Sequence, residues 1–404
     1  MRSFVAGRVE DIPSSGIRVI FERANKIPGV IRMEVGEPDF DTPLPIRQAA
    51  KRSIDEGFTH YTSSAGILPL REAIATKLKT DNGVDADAAT EVVVAPGAGA
   101  ALYLSILCTT NNGDEVLIPD PGWPHYEACV KLAGGKPVRY PLREDLGFRP
   151  DFDAISRLVN RKTKTLIVNT PSNPVGSVLE KKDLEKMAEL ALANDLLVVS
   201  DEVYEKIVYD RVRHYSIASF SGMKERTLTI NALSKTYAMT GWRLGYAAGP
   251  AQIMAQINKL NLYTSGCASS IAQKAAVAAL SGPQDDARRM VREYAKRRNL
   301  ILRRLNEIEG VSCSRPGGAF YAFPKVSIGG LNAFDTSMFL LENARVATVP
   351  GSAFGQLGEN HVRFSYATSI DLIEEAMDRV ASAVRDANGR KANRNAPKSL
   401  KTAA

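Results

Sequence analysis

Lys235 lies in a stretch whose residues could together hold and react with an anionic ligand. The stretch 234–245, SKTYAMTGWRLG, follows a strand-like run at 226–233. Ser234 supplies a hydroxyl directly before the lysine. Arg243 follows eight residues after the lysine, in a glycine-containing turn. A lone lysine is usually a solvated surface charge. An amine, a hydroxyl and a second cation in one short segment instead predict a strand end that faces a single anionic ligand.

Two polar residues follow other predicted strands. Asp201 comes after the apolar run 196–199, so we expect partial burial, and a buried carboxylate needs a cationic partner or hydrogen-bond donors. It either caps the next segment or holds a protonated ring nitrogen of a cofactor. Asn173 precedes Pro174. Its amide serves a turn or donates a hydrogen bond to an oxyanion.

An aromatic residue and an arginine complete the candidate site. Trp123, one of only two tryptophans, either joins the core or forms a plate for a flat ring. Arg363 alternates with apolar residues in 361–366, so it lies on the opposite strand face from Val362 and Phe364. It is either a solvated strand residue or a fork for a carboxylate.

Small residues at 97–99, Gly-Ala-Gly, precede a predicted helix. They predict either a tight turn or a helix N-terminus whose amides bind an anion such as phosphate. A dinucleotide fingerprint is an alternative, because Asp120 stands about one unit further along, where a ribose-binding acid belongs. However, position 102 is leucine instead of the third glycine. That alternative also leaves Lys235 without a role.

These residues would be positioned by a parallel sheet. Short apolar runs alternate with helical segments and predict an α/β fold with helices on both faces. In such a sheet, the loops after the carboxyl ends of the strands gather along one edge, where ligands bind. The polar or glycine-rich segments at 96–99, 119–123, 169–174, 200–204 and 234–235 each follow such an end. The predicted strands are 92–95, 116–118, 165–168, 196–199 and 227–233.

The pattern changes after residue 285 and predicts a second, smaller α/β domain. We divide the chain into an irregular N-terminal arm (1–45) that joins the small domain, a large domain (46–285), a C-terminal small domain (286–388) and a basic, disordered tail (389–404). The small domain should contain helices at 286–308, 336–343 and 370–386 and strands at 318–323, 345–349 and 361–367. The basic residues of 288–304 fall at helical spacing and predict a solvated helix face.

Composition excludes several classes of protein. The 404 residues are 44% hydrophobic and 24% charged, as in ordinary globular proteins. No apolar run approaches the ~20 residues of a membrane span, and 1–12 lacks the apolar core of a signal peptide. Four scattered cysteines predict reduced thiols in the cytoplasm. The net charge of +7 comes partly from the tail, and no nucleic-acid-binding motif or metal-ligand spacing accompanies it.

Three segments resemble signatures of the class I/II aminotransferases, which are fold type I enzymes dependent on pyridoxal 5′-phosphate (PLP). They are SKTYAMTGWR at 234–243, NTPSNPVG at 169–176 and SDEVY at 200–204. The similarity extends over about 12–385. With its IPSSGIR start at 12–18, the chain is most similar to the aspartate and aromatic aminotransferases.

The resemblance implies a role for each candidate residue. Lys235 would bond covalently to PLP and move the proton during transamination. The resemblance further implies a cytoplasmic homodimer that transfers the amino group of an α-amino acid, of aspartate or aromatic type, to a 2-oxo acid such as 2-oxoglutarate by a ping-pong mechanism. The remaining roles are ring-nitrogen pairing (Asp201), donation to the phenolic oxygen (Asn173, Tyr204), ring stacking (Trp123), phosphate binding (Ala98, Gly99, Ser234, Arg243), binding of the substrate carboxylate (Arg363, with Gly36 closing over it) and contact with the neighbouring subunit's cofactor (Tyr61).

The chain departs from the family pattern at two positions. Ala232 stands where a serine often contacts the phosphate, and Ala98 where threonine or serine often follows the turn glycine. Both losses leave more of the phosphate binding to backbone amides, Ser234 and Arg243. A C–S lyase or a cyclising synthase on the same fold remains an alternative, since fold does not determine reaction. An aminotransferase-like transcription regulator is disfavoured, because few residues precede the domain.

Overall fold

The computed structural model describes residues 4–12 and 16–395. Its α-helices alternate with strands through the first two thirds of the chain, as the apolar pattern predicts. Short 3₁₀ turns cover Glu144–Leu146, Ile217–Ser219, Lys224–Arg226, Gly351–Phe354 and Gln356–Gly358, and π-turns cover Leu78–Asn82 and Leu340–Ala344. The α-helices are α1 Gly7–Glu10, α2 Gly16–Ala24, α3 Leu44–Asp55, α4 Leu68–Lys77, α5 Ala98–Thr109, α6 His125–Leu132, α7 Phe152–Leu158, α8 Lys181–Ala193, α9 Leu233–Thr236, α10 Ala251–Ser265, α11 Ser270–Ser281, α12 Asp285–Asn306, α13 Ala333–Phe339 and α14 Ile370–Asn395.

An eight-stranded sheet forms the centre of the molecule, in the order β2-β9-β8-β7-β6-β3-β4-β5. Its strands run parallel except β9 and β5, which are antiparallel to their neighbours. The prediction of a mostly parallel sheet is therefore confirmed, although the sequence pattern missed β4, β5 and β9. The sheet consists of β2 Val92–Ala95, β3 Glu115–Asp120, β4 Lys136–Arg143, β5 Arg149–Pro150, β6 Thr163–Asn169, β7 Leu197–Asp201, β8 Thr227–Ala232 and β9 Gly245–Ala248.

Helices cover both faces of this sheet. Along β2, Val92 and Val94 pack into one apolar cluster, while Val93 and Ala95 pack into the cluster on the other face. This alternation follows from the two-residue period of a strand. Because both faces are buried, most of these strands read as apolar runs, which is why five of them could be located from sequence.

Shorter strands form small sheets in the C-terminal part of the chain, and the N-terminal segment joins them. β1 pairs in parallel with β13, and β15 lies between β11 and β14. The predicted strands at 318–323, 345–349 and 361–367 are thus present but shorter. The bounds are β1 Ile31–Arg32, β10 Val311–Ser312, β11 Tyr321–Ala322, β12 Lys325–Val326, β13 Val346–Ala347, β14 Val349–Pro350 and β15 Val362–Ser365.

The arm at 1–45 is less irregular than predicted, because besides the strand β1, expected at 31–35, it contains the helices α1 and α2. In α2, Ile20 and Ala24 are buried against Leu341 and Ala347. The helix is too short to be stable alone. It exists because its apolar stripe packs against residues more than three hundred positions away, a contact that no local pattern signals.

The prediction of a solvated basic face on α12 was wrong for two arginines. The Arg297 guanidinium pairs with Asp39 at 2.7 Å. The Arg298 side chain is fully buried, pairs with Asp210 at 3.0 Å and lies 4.6 Å over the Tyr209 ring. Tertiary packing has buried both arginines while their acidic partners stay partly exposed, and an amphipathic spacing cannot distinguish such arginines from solvated ones.

The last helix extends further than predicted. α14 continues to Asn395 and so includes the first part of the predicted disordered tail 389–404. The rest of that tail lies outside the described residues, as does part of the 12–18 motif. Within the described part of the chain, every helix is too short or too polar to cross a lipid bilayer.

Candidate active site

The carboxyl ends of the parallel strands meet at one edge of the large sheet, as predicted. The register places Asn169 beside Asp201 and Asp201 beside Ile230. Ala232, at the end of the next strand, pairs with Gly245. This edge opens on a cavity of about 430 Å³, a size suited to a cofactor or small ligand.

Eleven of the twelve predicted site residues line this cavity. The exception is Tyr61, which is 94% exposed and lies outside the cavity, near Gly266. Within one chain the structure therefore does not bring Tyr61 to the site. The lining residues that were predicted are Gly36, Ala98, Gly99, Trp123, Asn173, Asp201, Tyr204, Ser234, Lys235, Arg243 and Arg363.

Lys235 is held in the one-turn helix α9, directly after β8. Its Nζ donates a hydrogen bond of 2.6 Å to the Gly36 carbonyl oxygen, which ties the strand end to the N-terminal arm. Burial lowers the pKa of Lys235 from 10.5 to about 8; Glu37 opposes this shift, and Arg363 and Arg243 reinforce it. About a tenth of this amine is thus neutral and nucleophilic at pH 7, far more than for an ordinary lysine.

Asp201 lies deep in the site at the end of β7 and is 3% exposed. Its carboxylate accepts hydrogen bonds from the Tyr126 hydroxyl at 2.7 Å and from the Val203 amide at 3.4 Å. Burial nevertheless raises its pKa to about 6. The nearby protein groups do not fully stabilise the anion, so the site suits a further positive charge beside it.

The residue after Asp201 belongs to a separate buried network. Glu202 accepts hydrogen bonds from the hydroxyls of Ser200 (2.8 Å) and Ser216 (2.7 Å) and from the Asn82 amide (3.2 Å). A nitrogen of His214 lies 3.1 Å from the same carboxylate. Two adjacent acids in the SDEVY motif therefore have different surroundings, and only Asp201 lines the cavity.

Asn173 and Arg363 are joined directly. The Arg363 Nη1 donates to Asn173 Oδ1 at 2.9 Å, and Nη2 donates to the Glu34 carbonyl oxygen at 2.7 Å. The guanidinium lies 4.4 Å over the Tyr321 ring and is 3% exposed. Its Nε has no hydrogen-bond partner among the described residues. A buried, immobilised fork with a remaining donor is suited to a carboxylate ligand.

Small residues and cations form the opposite end of the cavity. Helix α5 begins at Ala98, and the preceding Gly97 has φ of 92°. A Cβ on Gly97 would lie 2.6 Å from the Arg243 Nη2, so only glycine lets the guanidinium approach this closely. Ser234 is buried beside them. Free amide N–H groups at a helix N-terminus next to an arginine form an anion site.

Trp123 stands between the two ends. Its ring stacks on His125, with centroids 4.5 Å apart and planes 21° from parallel, and meets the Tyr126 ring edge-on at 5.7 Å. Neighbouring rings therefore determine the orientation of its indole. Trp123 lines the cavity and is not enclosed in the core, which favours the interpretation that its indole forms a plate for a flat ring.

Several residues of the site were missed from sequence. Asn169 donates to the Asp201 carbonyl oxygen at 3.1 Å and accepts from the Asn173 amide at 2.9 Å. Asn169 stood in the quoted NTPSNPVG segment and could have been found there. The Tyr321 hydroxyl lies 2.7 Å from the Tyr204 hydroxyl, and only the predicted strand 318–323 marked its position. Nothing in the sequence marked Tyr126 as a residue of the site.

Comparisons with known proteins agree with this geometry. The sequence matches the family model "Aminotransferase class I and II" over residues 28–380. The chain belongs to the class I and II aminotransferases. The recognition made from the three motifs is thereby confirmed, and the dinucleotide alternative is wrong. Asp120, the acid on which that alternative depended, instead accepts hydrogen bonds from the Gln356 and Leu357 amides at 3.1 and 3.2 Å.

Two curated aminotransferases illustrate the similarity. The chain is 45% identical over 384 residues to aromatic-amino-acid aminotransferase 2 of Thermococcus litoralis, which covers 95% of this chain and 98% of the relative. It is 46% identical over 384 residues to the aspartate aminotransferase of Pyrococcus abyssi, with the same coverage. Identity therefore does not separate the two substrate names.

The fold is likewise that of the aminotransferases. The crystal structure of the aromatic aminotransferase from Pyrococcus horikoshii OT3 matches with a TM-score of 0.87 and 47% identity, covering 92% of this chain and 99% of that chain. The fold class expected from the resemblance, a mostly parallel sheet flanked by helices as in fold type I, is confirmed. The chain is an aminotransferase by family and by fold.

Proposed function

We propose that this aminotransferase uses PLP to move the amino group of an α-amino acid, of aspartate or aromatic type, to a 2-oxo acid such as 2-oxoglutarate by a ping-pong mechanism. One observation carries the proposal. A lysine with a lowered pKa, a buried carboxylate with a raised pKa and a buried arginine fork line a single cavity. These are the groups needed to hold an aldehyde, a cationic ring and a carboxylate.

The residues present fit PLP. The anion end suits its phosphate through the Ala98 and Gly99 amides, Ser234 and Arg243. Asp201, whose carboxylate lacks full stabilisation, would pair with the ring nitrogen, and Lys235 would bond to the aldehyde carbon. Asn173 and Tyr204 would donate to the phenolic oxygen, while Trp123 would cover the ring face.

When bound, PLP draws electrons away from the α-carbon of the substrate, and the protein positions and tunes it. Lys235, with its lowered pKa, would take the proton from the α-carbon and return it elsewhere. Arg363 would hold the substrate carboxylate, and its hydrogen bond to Asn173 would fix the substrate relative to the ring. The Gly36 carbonyl oxygen, which accepts from Lys235, would hold the amine before the ligand arrives.

Ala232 and Ala98 should weaken the binding of the phosphate and leave the rest of the site unaffected. Ala232 lines the cavity at the end of β8, and Ala98 begins α5. Neither offers a hydroxyl, so phosphate binding depends on Ser234, Arg243 and the helix N-terminus. We expect the affinity for PLP to be lower than in a variant with Ala232→Ser, while the chemistry at Lys235 stays the same.

The protein is proposed to act as a cytoplasmic homodimer with shared sites. Tyr61 is 94% exposed and Tyr263 is 81% exposed, unusual values for large aromatic side chains. A dimer in which Tyr61 reaches the neighbour's phosphate would explain why it lies outside its own cavity. In the proposed domain division, 46–285 supplies the cofactor side, and 286–388 with the arm 1–45 supplies the substrate side.

The experiment is to load the purified protein with PLP and add an amino acid. The protein should become yellow and its visible spectrum should change as the amino group is taken up. Lys235→Ala should abolish turnover, whereas Lys296→Ala, which removes an exposed lysine, should not. Turnover retained in Lys235→Ala would mean that another amine carries the chemistry. Double-reciprocal plots that intersect instead of running parallel would contradict the ping-pong mechanism.

A further inference from the structure

One tyrosine of the cavity contacts both the proposed cofactor side and the proposed substrate side. Tyr321 lines the cavity in β11 and is 1% exposed. The centroid of its ring lies 4.4 Å from the Arg363 guanidinium, and its hydroxyl lies 2.7 Å from the Tyr204 hydroxyl. The proposed function gives a role to Arg363 and to Tyr204 but none to the residue that joins them.

The register of the small sheet places Tyr321 beside Arg363. Tyr321 on β11 pairs with Ser365 on β15, and Arg363 stands two residues before Ser365 on the same strand. Residues two apart on a strand share a face, and such a diagonal neighbour is within reach of an aromatic or long side chain. The backbone therefore brings the ring against the guanidinium.

A second ring restricts the guanidinium further. The centroid of the Phe354 ring lies 5.0 Å from Arg363. The Phe354 carbonyl oxygen accepts from the Gly122 amide at 2.8 Å and from Arg139 Nη1 at 3.2 Å, so residues after β3 and in β4 hold this ring in place. A cation is held most strongly over an aromatic face where water is excluded. The two rings thus orient the fork and its Nε, which has no partner among the described residues.

The hydroxyl of Tyr321 acts on the other side of the cavity. Among the described residues, the hydroxyls of Tyr321 and Tyr204 have only each other as hydrogen-bond partners. Each hydroxyl has a single proton to donate. If Tyr204 gives its proton to the phenolic oxygen, as proposed, the hydrogen bond between the two tyrosines must run from Tyr321 to Tyr204. A hydroxyl that accepts one hydrogen bond donates the next one more strongly.

The N-terminal arm packs against the same hydroxyl. A Cβ on Gly36 would overlap Tyr321 Oη and lie 3.2 Å from its Cζ, so only glycine lets the arm approach this closely. The carbonyl oxygen of Gly36 accepts from Lys235. The Tyr321 side chain is therefore enclosed by Gly36, Tyr204 and Arg363 and is held in one orientation.

We propose that Tyr321 is a positioning residue of the aminotransferase reaction, whose ring orients the Arg363 fork for the substrate carboxylate and whose hydroxyl orients Tyr204 toward the cofactor. The inference rests on the proposed function, since it assumes the ligands of Arg363 and Tyr204. The two effects belong to different atoms of one side chain, so substitutions can remove them separately.

The role of the hydroxyl is tested with Tyr321→Phe, by a pH titration of the visible spectrum of the PLP-loaded enzyme without substrate. Donation from Tyr204 stabilises negative charge on the phenolic oxygen, and this charge is least compensated once the Lys235 nitrogen beside it has lost its proton. Weaker donation should therefore raise the midpoint of the titration, by about 0.4–1 unit for one lost hydrogen bond. The variant leaves in place the charged groups around Lys235, which are Glu37, Arg363, Arg243 and Asp201.

A matched control removes a buried hydroxyl elsewhere in the same part of the chain. The Tyr366 hydroxyl donates to Tyr209 and to the Ala319 carbonyl oxygen, each at 3.3 Å, and it does not line the cavity. Tyr366→Phe should leave the spectral midpoint unchanged.

The role of the ring is tested by equilibrium binding of hydrocinnamate and succinate to the PLP-loaded enzyme. Both ligands offer a carboxylate to Arg363, and they differ in the rest of the molecule. Tyr321→Phe keeps the ring and should change both dissociation constants by less than about twofold. Tyr321→Leu removes the ring and should raise both by about five- to thirtyfold, if the cation–π contact at this buried site serves to hold the fork. Tyr321→Met, also without a ring, is measured beside it in case Tyr321→Leu does not fold.

The outcomes separate this inference from the proposed function. An unchanged spectral midpoint in Tyr321→Phe, or an equal shift in Tyr366→Phe, would overturn the role of the hydroxyl. Equal binding of the two carboxylates by Tyr321→Phe and by the folded variant without a ring would overturn the role of the ring. Failure of the unmodified enzyme to become yellow with PLP, or to take an amino group from aspartate or phenylalanine, would instead contradict the proposed function.

Discussion

The two sides of the cavity are built differently. On the proposed cofactor side, Asn169, Asp201 and Ala232 end adjacent strands of one sheet; the register pairs Asn169 with Asp201, and Ala232 stands two residues beyond Ile230, the partner of Asp201. On the proposed substrate side, Arg363 is held by Asn173 and Glu34, residues 190 and 329 positions away in sequence. One side is a property of a single sheet, whereas the other requires three distant segments to meet.

Because the two sides are built differently, cofactor binding and substrate selectivity depend on different parts of the chain. A sheet edge with both faces packed is rigid, and it suits a cofactor that must be held in one orientation. The arm is attached to the rest of the molecule by two features. One is the strand β1, and the other is the small apolar cluster that α2 forms with the C-terminal part of the chain. Changes in the arm can alter the substrate side while leaving the sheet edge intact, so selectivity and cofactor binding should be separable by mutation.

The largest effect should come from the cofactor side. Asp201→Asn keeps the shape and an acceptor for the Tyr126 hydroxyl but removes the charge that would stabilise a protonated ring nitrogen. We expect kcat to fall by roughly 10²–10³, the usual loss when one electrostatic partner of the reacting group is removed. Steady-state kinetics measure this, and Tyr126→Phe, which removes only a donor to Asp201, should cost much less. Equal losses in the two variants would contradict the proposed role.

A smaller effect should follow from Arg363→Lys on the substrate side. An ammonium replaces a planar fork, so the two hydrogen bonds to a carboxylate cannot both form. We expect KM for amino acids to rise by roughly 10- to 100-fold, since a charged hydrogen bond contributes about 1.5–3 kcal/mol. Equilibrium titration with PLP should give an unchanged affinity. If PLP affinity falls instead, Arg363 belongs to the cofactor side.

The smallest effect on catalysis should come from Ile20→Ala, which leaves a cavity between α2 and the C-terminal part of the chain. The free energy of unfolding should fall by about 2–5 kcal/mol if the arm unfolds together with the rest of the molecule. KM should rise a few-fold with the PLP spectrum unchanged, as measured by urea titration and kinetics. Val19→Ala, at a 43% exposed position of the same helix, is the control and should change stability by less than about 0.5 kcal/mol.

Much of the large sheet was predictable from sequence because its strands are buried on both faces. Val92–Ala95 appears as an uninterrupted apolar run, and Thr227–Ala232 as a run of β-branched and apolar residues; both were placed within a residue or two. β4 was missed because its sequence, KPVRYPLR, mixes charges and prolines with apolar residues. β9 was missed because Gly245–Ala248 is short and rich in small residues.

The site was predictable to the extent that its residues lie in local motifs. Lys235, Asp201 and Asn173 follow predicted strands, and the structure brings them to one cavity. Tyr126 and Tyr321 were not identified, because a tyrosine in a helix or strand looks like a core residue until its hydroxyl is seen against a partner. Their roles, like those of the predicted site residues, stay predictions that the variants above can test.

The sequence by itself determined the family, and it located five of the eight strands of the large sheet and most of the predicted residues that line the cavity. It did so because strand ends carry their chemistry in contiguous motifs. Only the tertiary structure decided the substrate side, where Glu34 and Arg32 meet Phe21 and Arg363. Burial also decided the pKa shifts of Lys235 and Asp201. These features depend on long-range packing and on the exclusion of water, neither of which is encoded in neighbouring residues.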